Sequence, residues 1–148
     1  MKSLIEQLNV FYYLYDHGQG HSLTESEISR YHARMVELGR IIHETNRFGQ
    51  LEGYAEVWRV TPEQVGRILF NDTFNVFEEN LTDGLICFVA NVTVRPDKRM
   101  AGLTRRLKAR VKDENRDASH ICGMASHGKA GSFKIFKNEP RGVIDRVA

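Results

Sequence analysis

Sixteen residues in the second half of the chain, Val92-Thr-Val-Arg-Pro-Asp-Lys-Arg-Met-Ala-Gly-Leu-Thr-Arg-Arg-Leu107, combine the residue types that bind an anion. A β-prone run ends at Val94, and Pro96 cannot donate to a strand ladder, so the chain leaves the sheet there. A helix opens at Leu103. Between them the backbone of Arg99 to Thr104 must turn sharply, and Gly102 lets another group come close to its amides. Strand, turn and helix N-terminus together aim unpaired N–H groups and the positive end of a helix dipole at one point. Arg99, Arg105 and Arg106 add side chains able to make charge-assisted hydrogen bonds. The chemistry that fits is recognition of a phosphate or pyrophosphate.

The surrounding charge agrees. Residues 1–90 carry seven Lys/Arg against thirteen Asp/Glu, and residues 91–148 carry fourteen against six; the halves return the net charge of +2. Eight basic residues fall between Arg95 and Lys112, with Asp97 the one acid among them. Such a block suits a nucleotide-type cofactor, a nucleic acid or an acidic protein; without a partner it is a solvated helix face.

The whole chain sets the frame. At 148 residues with 41% hydrophobic and 27% charged, the composition is that of one globular domain, 1–148, and excludes wholesale disorder. The longest apolar run, Leu85 to Ala90, is six residues and cannot span a membrane as a helix. Glu6 interrupts what would be the apolar stretch of a secretory signal, so a cytoplasmic protein is expected. Cys87 and Cys122 read as buried free thiols of a reducing compartment. A catalytic pairing of Cys122 with His120, two residues away, is the weaker alternative.

These elements must position the anion site. Leu4, Leu8, Phe11 and Tyr15 predict an amphipathic helix over 3–15. A second helix is expected from Ser22 or Thr24, each opening a capping box with Glu25 or Glu27, and to run on through Ile42 to about Thr45. Alternation predicts a strand over 54–60. Thr61-Pro62 opens a helix that stops near Asn71. Strands are expected over 73–77, 85–94 and 120–125, with a helix from Leu103 to about Arg116. The pattern is α/β or α+β.

The stretch from Val94 to Leu107 resembles the acyl-coenzyme A site of the GNAT N-acetyltransferases, whose pattern V-x-P-x-x-[QR]-x-x-G-[IL]-[GA]-x-x-L follows the family's fourth strand. Val94, Pro96, Arg99, Gly102, Leu103 and Leu107 match, and Thr104 replaces glycine or alanine. The resemblance covers about 50–138, with 1–48 a divergent helical pair that would cover the acceptor side or make a subunit contact. It implies a mixed, mostly antiparallel sheet flanked by helices, whose fourth and fifth strands splay apart around the cofactor. It implies acetyl-coenzyme A, or another acyl-coenzyme A, as co-substrate and a primary amine as acceptor. The main chain of Val92, Thr93 and Val94 would pair with the pantetheine arm, and the amide near Val92 would polarise the thioester carbonyl. Arg99, Met100, Ala101, Gly102, Leu103, Thr104 and Arg105 would surround the pyrophosphate.

The chemistry beyond binding departs from that family. The family often uses a tyrosine after its fifth strand to protonate the leaving thiolate, and no tyrosine here lies beyond Tyr54. Phe133 or Phe136 stands at that place, leaving Ser126, Ser132, His127 or water as the acid. For the base, Asn91 is a candidate holder of a water; Glu56 is a second candidate, expected on alternation with Trp58 to face solvent. Two other classes follow from the same residues: a GNAT-fold regulatory or structural module without activity, and a nucleic-acid binder using the basic helix 105–112.

Overall fold

A computed structural model describes residues 2–16, 24–70, 73–124 and 133–138. Two compact units divide the chain. The first takes its residues from Met1–Glu56 and Asn91–Ala109, the second from Val57–Ala90 and Arg110–Ala148.

In the first unit, α1 (Leu4–Phe11) is capped by Ser3, whose side chain accepts from the Glu6 amide. The helix continues as a π turn over Tyr12–Asp16, so the predicted helix of 3–15 changes pitch at its end. Helix α2 (Glu25–Glu37) starts at Thr24, where a full capping box with Glu27 forms. It does not reach Thr45 as expected. Gly39 adopts φ +70°, its amide donates to Val36 O, and the Arg40 amide donates to Met35 O. That is the Schellman closure, which ends a helix, and it releases Ile41 and Ile42 into a strand. Strand β1 (Ile41–Thr45) pairs antiparallel with β2 (Leu51–Val60). Gln7 ties α1 to this hairpin: its side-chain amide donates to Gly49 O (3.2 Å) and accepts from the Leu51 amide (2.6 Å). Leu8, Phe11, Leu51 and Tyr54 form the core cluster here.

In the second unit, α3 (Pro62–Phe70) is followed by turns rather than the expected strand over 73–77. Asn75 explains this. Its carbonyl accepts from the Glu78 and Glu79 amides, its side chain accepts from the Phe77 amide, and an Asx turn of this kind competes with a ladder. The turns deliver Phe74 onto Trp58, which Phe88 stacks as well, at centroid distances of 5.4 and 5.6 Å. Buried Arg59 makes a two-pronged contact with Asp117 (2.9 and 3.0 Å) and donates to Gly84 O (3.0 Å).

The sheet has five strands in the order β1-β2-β3-β4-β5. Strand β3 (Ile86–Val94) is its centre, as its two-faced apolar run predicts. It pairs parallel with β4 (His120–Met124) from Ile86↔His120 to Val89↔Gly123, and β3 continues to Val94 after that register ends. Strand β5 (Phe133–Lys137), which sequence patterning does not call out, pairs antiparallel with β4. The sheet is therefore mixed, as expected. Helix α4 (Leu103–Glu114) buries Leu103, Leu107 and Val111. Among the described residues no helix is long and apolar enough to cross a membrane.

Candidate active site

The turn that the sequence predicts between strand and helix is present. Strand β3 ends at Val94, a 3₁₀ turn spans Pro96–Ala101, Gly102 takes φ +79°, and α4 begins at Leu103. A side chain in that left-handed conformation is strained. A Cβ added at Gly102 would meet nothing within 4 Å, so the glycine faces open space. Both the conformation and the openness are what a backbone cradle for an anion requires.

Strand β2 holds the turn in place. The Glu52 carbonyl accepts from the Arg95 amide (2.9 Å), and the Arg95 carbonyl accepts from the Lys98 amide (2.9 Å). Gly53 has no side chain where one would lie 3.1 Å from Thr93 O and Val94 Cγ2 and 3.2 Å from Leu103 Cδ2. The end of β3 and the start of α4 can therefore sit close against β2.

The predicted residues divide by role. Thr93, Val94 and Leu103 are buried; the Val94 and Leu103 side chains pack and the Thr93 hydroxyl is engaged within the fold, which leaves their main chain for a ligand. Val92 and Thr104 are half-buried and Arg105 is exposed. Arg99, Met100 and Ala101 belong to the 3₁₀ turn by their backbone. Ser126 and His127, expected as acid candidates, lie outside the described residues, as does Ser132.

Asn91 is half-buried and held from both sides: its Nδ2 donates to the Tyr54 hydroxyl (3.1 Å), and its Oδ1 accepts from Thr93 Oγ1 (2.9 Å). Glu56 corrects an expectation. It is only 3% exposed, not solvent-facing, because β2 is buried on both faces from Gly53 to Val60 and alternation marks a wet face only where one exists. The Tyr31 hydroxyl, from α2, donates to its carboxylate. Tyr54 and Glu56 are two residues apart and so share one face of β2. Tyr31 and Tyr54 are the polar residues that sequence reasoning missed near this strand; the available signal was an acid inside an otherwise apolar run, since a buried carboxylate needs a donor.

Cys122 is buried, and burial first, then the nearby Cys87, push its thiol up to about 11, which disfavours the thiolate that a pairing with His120 would use.

A scan against protein-family models matches nothing, and a search of curated proteins also finds no match. Solved structures do match. The loading GNATL domain of CurA from Lyngbya majuscula superposes with TM-score 0.63 at 15% identity, covering 82% of this chain and 59% of that one. The GphF GNAT-like decarboxylase, solved with isobutyryl-CoA, gives 0.62 at 14%, covering 84% and 63%. This chain has the GNAT fold. The GNAT family N-acetyltransferase YhbS from Escherichia coli, solved with CoA, gives 0.55 at 13%, covering 91% and 76%. The chain spans about three fifths of the length of the first two structures. At these identities the likeness establishes the GNAT fold, and the chemistry rests on this chain's own residues.

Proposed function

We propose that this GNAT-fold protein is an acyl-coenzyme A-dependent N-acyltransferase that moves an acetyl or similar acyl group to a primary amine. The observation that carries the reading is the turn after β3, where Gly102, at φ +79° and facing open space, leads into α4. GNAT-fold neighbours solved with isobutyryl-CoA or CoA support it.

In this reading the amides from the 3₁₀ turn to Thr104, with Arg99 and Arg105, hold the pyrophosphate, and the main chain of Val92 to Val94 holds the pantetheine arm. An amide beside Val92 donates to the thioester oxygen as it gains charge, an oxyanion-hole role. The amine nitrogen attacks the carbonyl carbon, the C–N bond forms and the C–S bond breaks. The ammonium proton passes to Glu56, relayed by the Tyr31 hydroxyl, or to a water held by Asn91. The thiolate takes a proton from solvent or from Ser126 or His127. Much of the rate then comes from holding two reactants together.

The experiment is transfer from radiolabelled acetyl-CoA to a panel of spermidine, an aminoglycoside and a lysine-bearing peptide, chosen because the acidic first ninety residues favour a cationic acceptor. Labelled amide from at least one acceptor supports the reading; CoA binding without transfer to any of them favours a regulatory GNAT-fold module instead. Glu56→Gln should keep acyl-CoA affinity and lower the transfer rate by about 10²–10⁴-fold if Glu56 takes the proton.

A further inference from the structure

Lys98 lies within the 3₁₀ turn that would receive the pyrophosphate, yet its ammonium is already engaged: Nζ lies 3.2 Å from Glu52 Oε2, with side-chain exposures of 39% and 15%. Arg95, at the start of the turn, is matched too, by Asp97 at 3.2 Å. The two acids differ in kind. Asp97 is an exposed neighbour on the same turn. Glu52 belongs to β2, and its own carbonyl fixes the Arg95 amide, so its carboxylate is anchored where Lys98 reaches it. A fixed carboxylate beside an anion cradle opposes the anion by charge.

We propose that Lys98 is a phosphate ligand held in reserve by Glu52: the ion pair keeps the free turn in shape, and the arriving pyrophosphate takes the ammonium over from the carboxylate. The proposal rests on the acyl-coenzyme A reading of this site. It gives Glu52 a definite role, which is to stabilise the turn without ligand at the expense of anion affinity.

The test is calorimetric titration of CoA into the wild type, Lys98→Gln, Glu52→Gln and the double variant, with thermal melts of each free protein. Lys98→Gln should weaken CoA binding by about tenfold, the effect of one charged hydrogen bond. Glu52→Gln should lower the melting temperature of the free protein and tighten CoA binding by about two- to fivefold, the scale of a partly exposed ion pair. Most of that tightening should vanish in the Lys98→Gln background, because the two effects share one ammonium. Unchanged or weaker CoA binding by folded Glu52→Gln would overturn the exchange and leave Glu52 a purely structural residue. Unchanged binding by Lys98→Gln would overturn Lys98 as a ligand. No CoA binding by the wild type would instead sink the acyl-coenzyme A reading itself, and this proposal with it.

Discussion

Gly102 offers a way to separate backbone strain from anion recognition. Its φ of +79° places any other residue in the left-handed region, which costs about 1–2 kcal/mol. No atom lies within 4 Å of the added Cβ, so no clash adds to that cost. For 148 residues the unfolding entropy is about 0.3 kcal/mol per kelvin, and the strain corresponds to a melting temperature lower by about 3–6 °C. Gly102→Ala and Gly102→Glu should therefore melt alike. Their ligand affinities should part. The methyl group disturbs at most one contact and weakens CoA binding by up to about tenfold, whereas the carboxylate stands where the pyrophosphate would be and weakens it by about 100-fold or more. Melts followed by circular dichroism and calorimetric titration of CoA measure both effects. Equal CoA affinity in the two variants would refute the anion cradle. A Gly102→Ala protein as stable as the wild type would refute the strain argument.

Other perturbations have equally definite outcomes. His32 is buried between α1 and α2, donating Nδ1–H to Asn9 Oδ1 (2.7 Å), and burial lowers its pKa to about 4 from 6.5. A lowered histidine is neutral in the native state while the unfolded chain takes up a proton below 6.5, so its contribution is complete above that pH and is lost as the pH falls toward 4. The loss between pH 7 and pH 5 is about 2 kcal/mol, and urea unfolding of the wild type should show it where His32→Gln does not. Gly53→Ala would bring a methyl group to 3.1–3.2 Å from Thr93 O, Val94 and Leu103. It should destabilise the protein by about 1–3 kcal/mol and weaken CoA binding, both readable in a ligand-dependent melt. Gly84→Ala is harsher, since its Cβ would lie 2.1 Å from the Val60 backbone; the expected result is loss of the native far-ultraviolet spectrum or insoluble protein. DNA binding that weakens steeply with salt, in the absence of any CoA binding, would shift the role of the basic helix to nucleic acid.

The turn after β3 was legible in the sequence because its signals are local: Pro96 stops a strand, Gly102 permits a left-handed turn, and Leu103 and Leu107 mark a helix. The central place of β3 was legible for the same reason. Elements settled by neighbours were not. Ile42 continues the apolar stripe of α2 at helical spacing, and only the closure at Gly39 shows that it belongs to β1. Thr73 to Phe77 has strand composition, but Asn75 turns the chain and Phe74 is used to cover Trp58. Glu56 could not be placed, because alternation is blind on a strand covered on both faces, and its donor Tyr31 comes from a distant helix. Lys98 was hidden in a block of like charges, where nothing in the sequence points to Glu52 as its partner.

The most direct test of the account is the melting temperature of the purified protein with and without acetyl-CoA, isobutyryl-CoA or CoA, against ATP and a DNA oligonucleotide. Ligand at about 100 times its dissociation constant should stabilise the fold by about 2.7 kcal/mol, a rise of about 9 °C for a chain of this length. A rise of that size with the coenzyme A compounds, and none with ATP or DNA, is the predicted result. No rise with any coenzyme A compound would contradict the proposal that this GNAT fold binds acyl-coenzyme A.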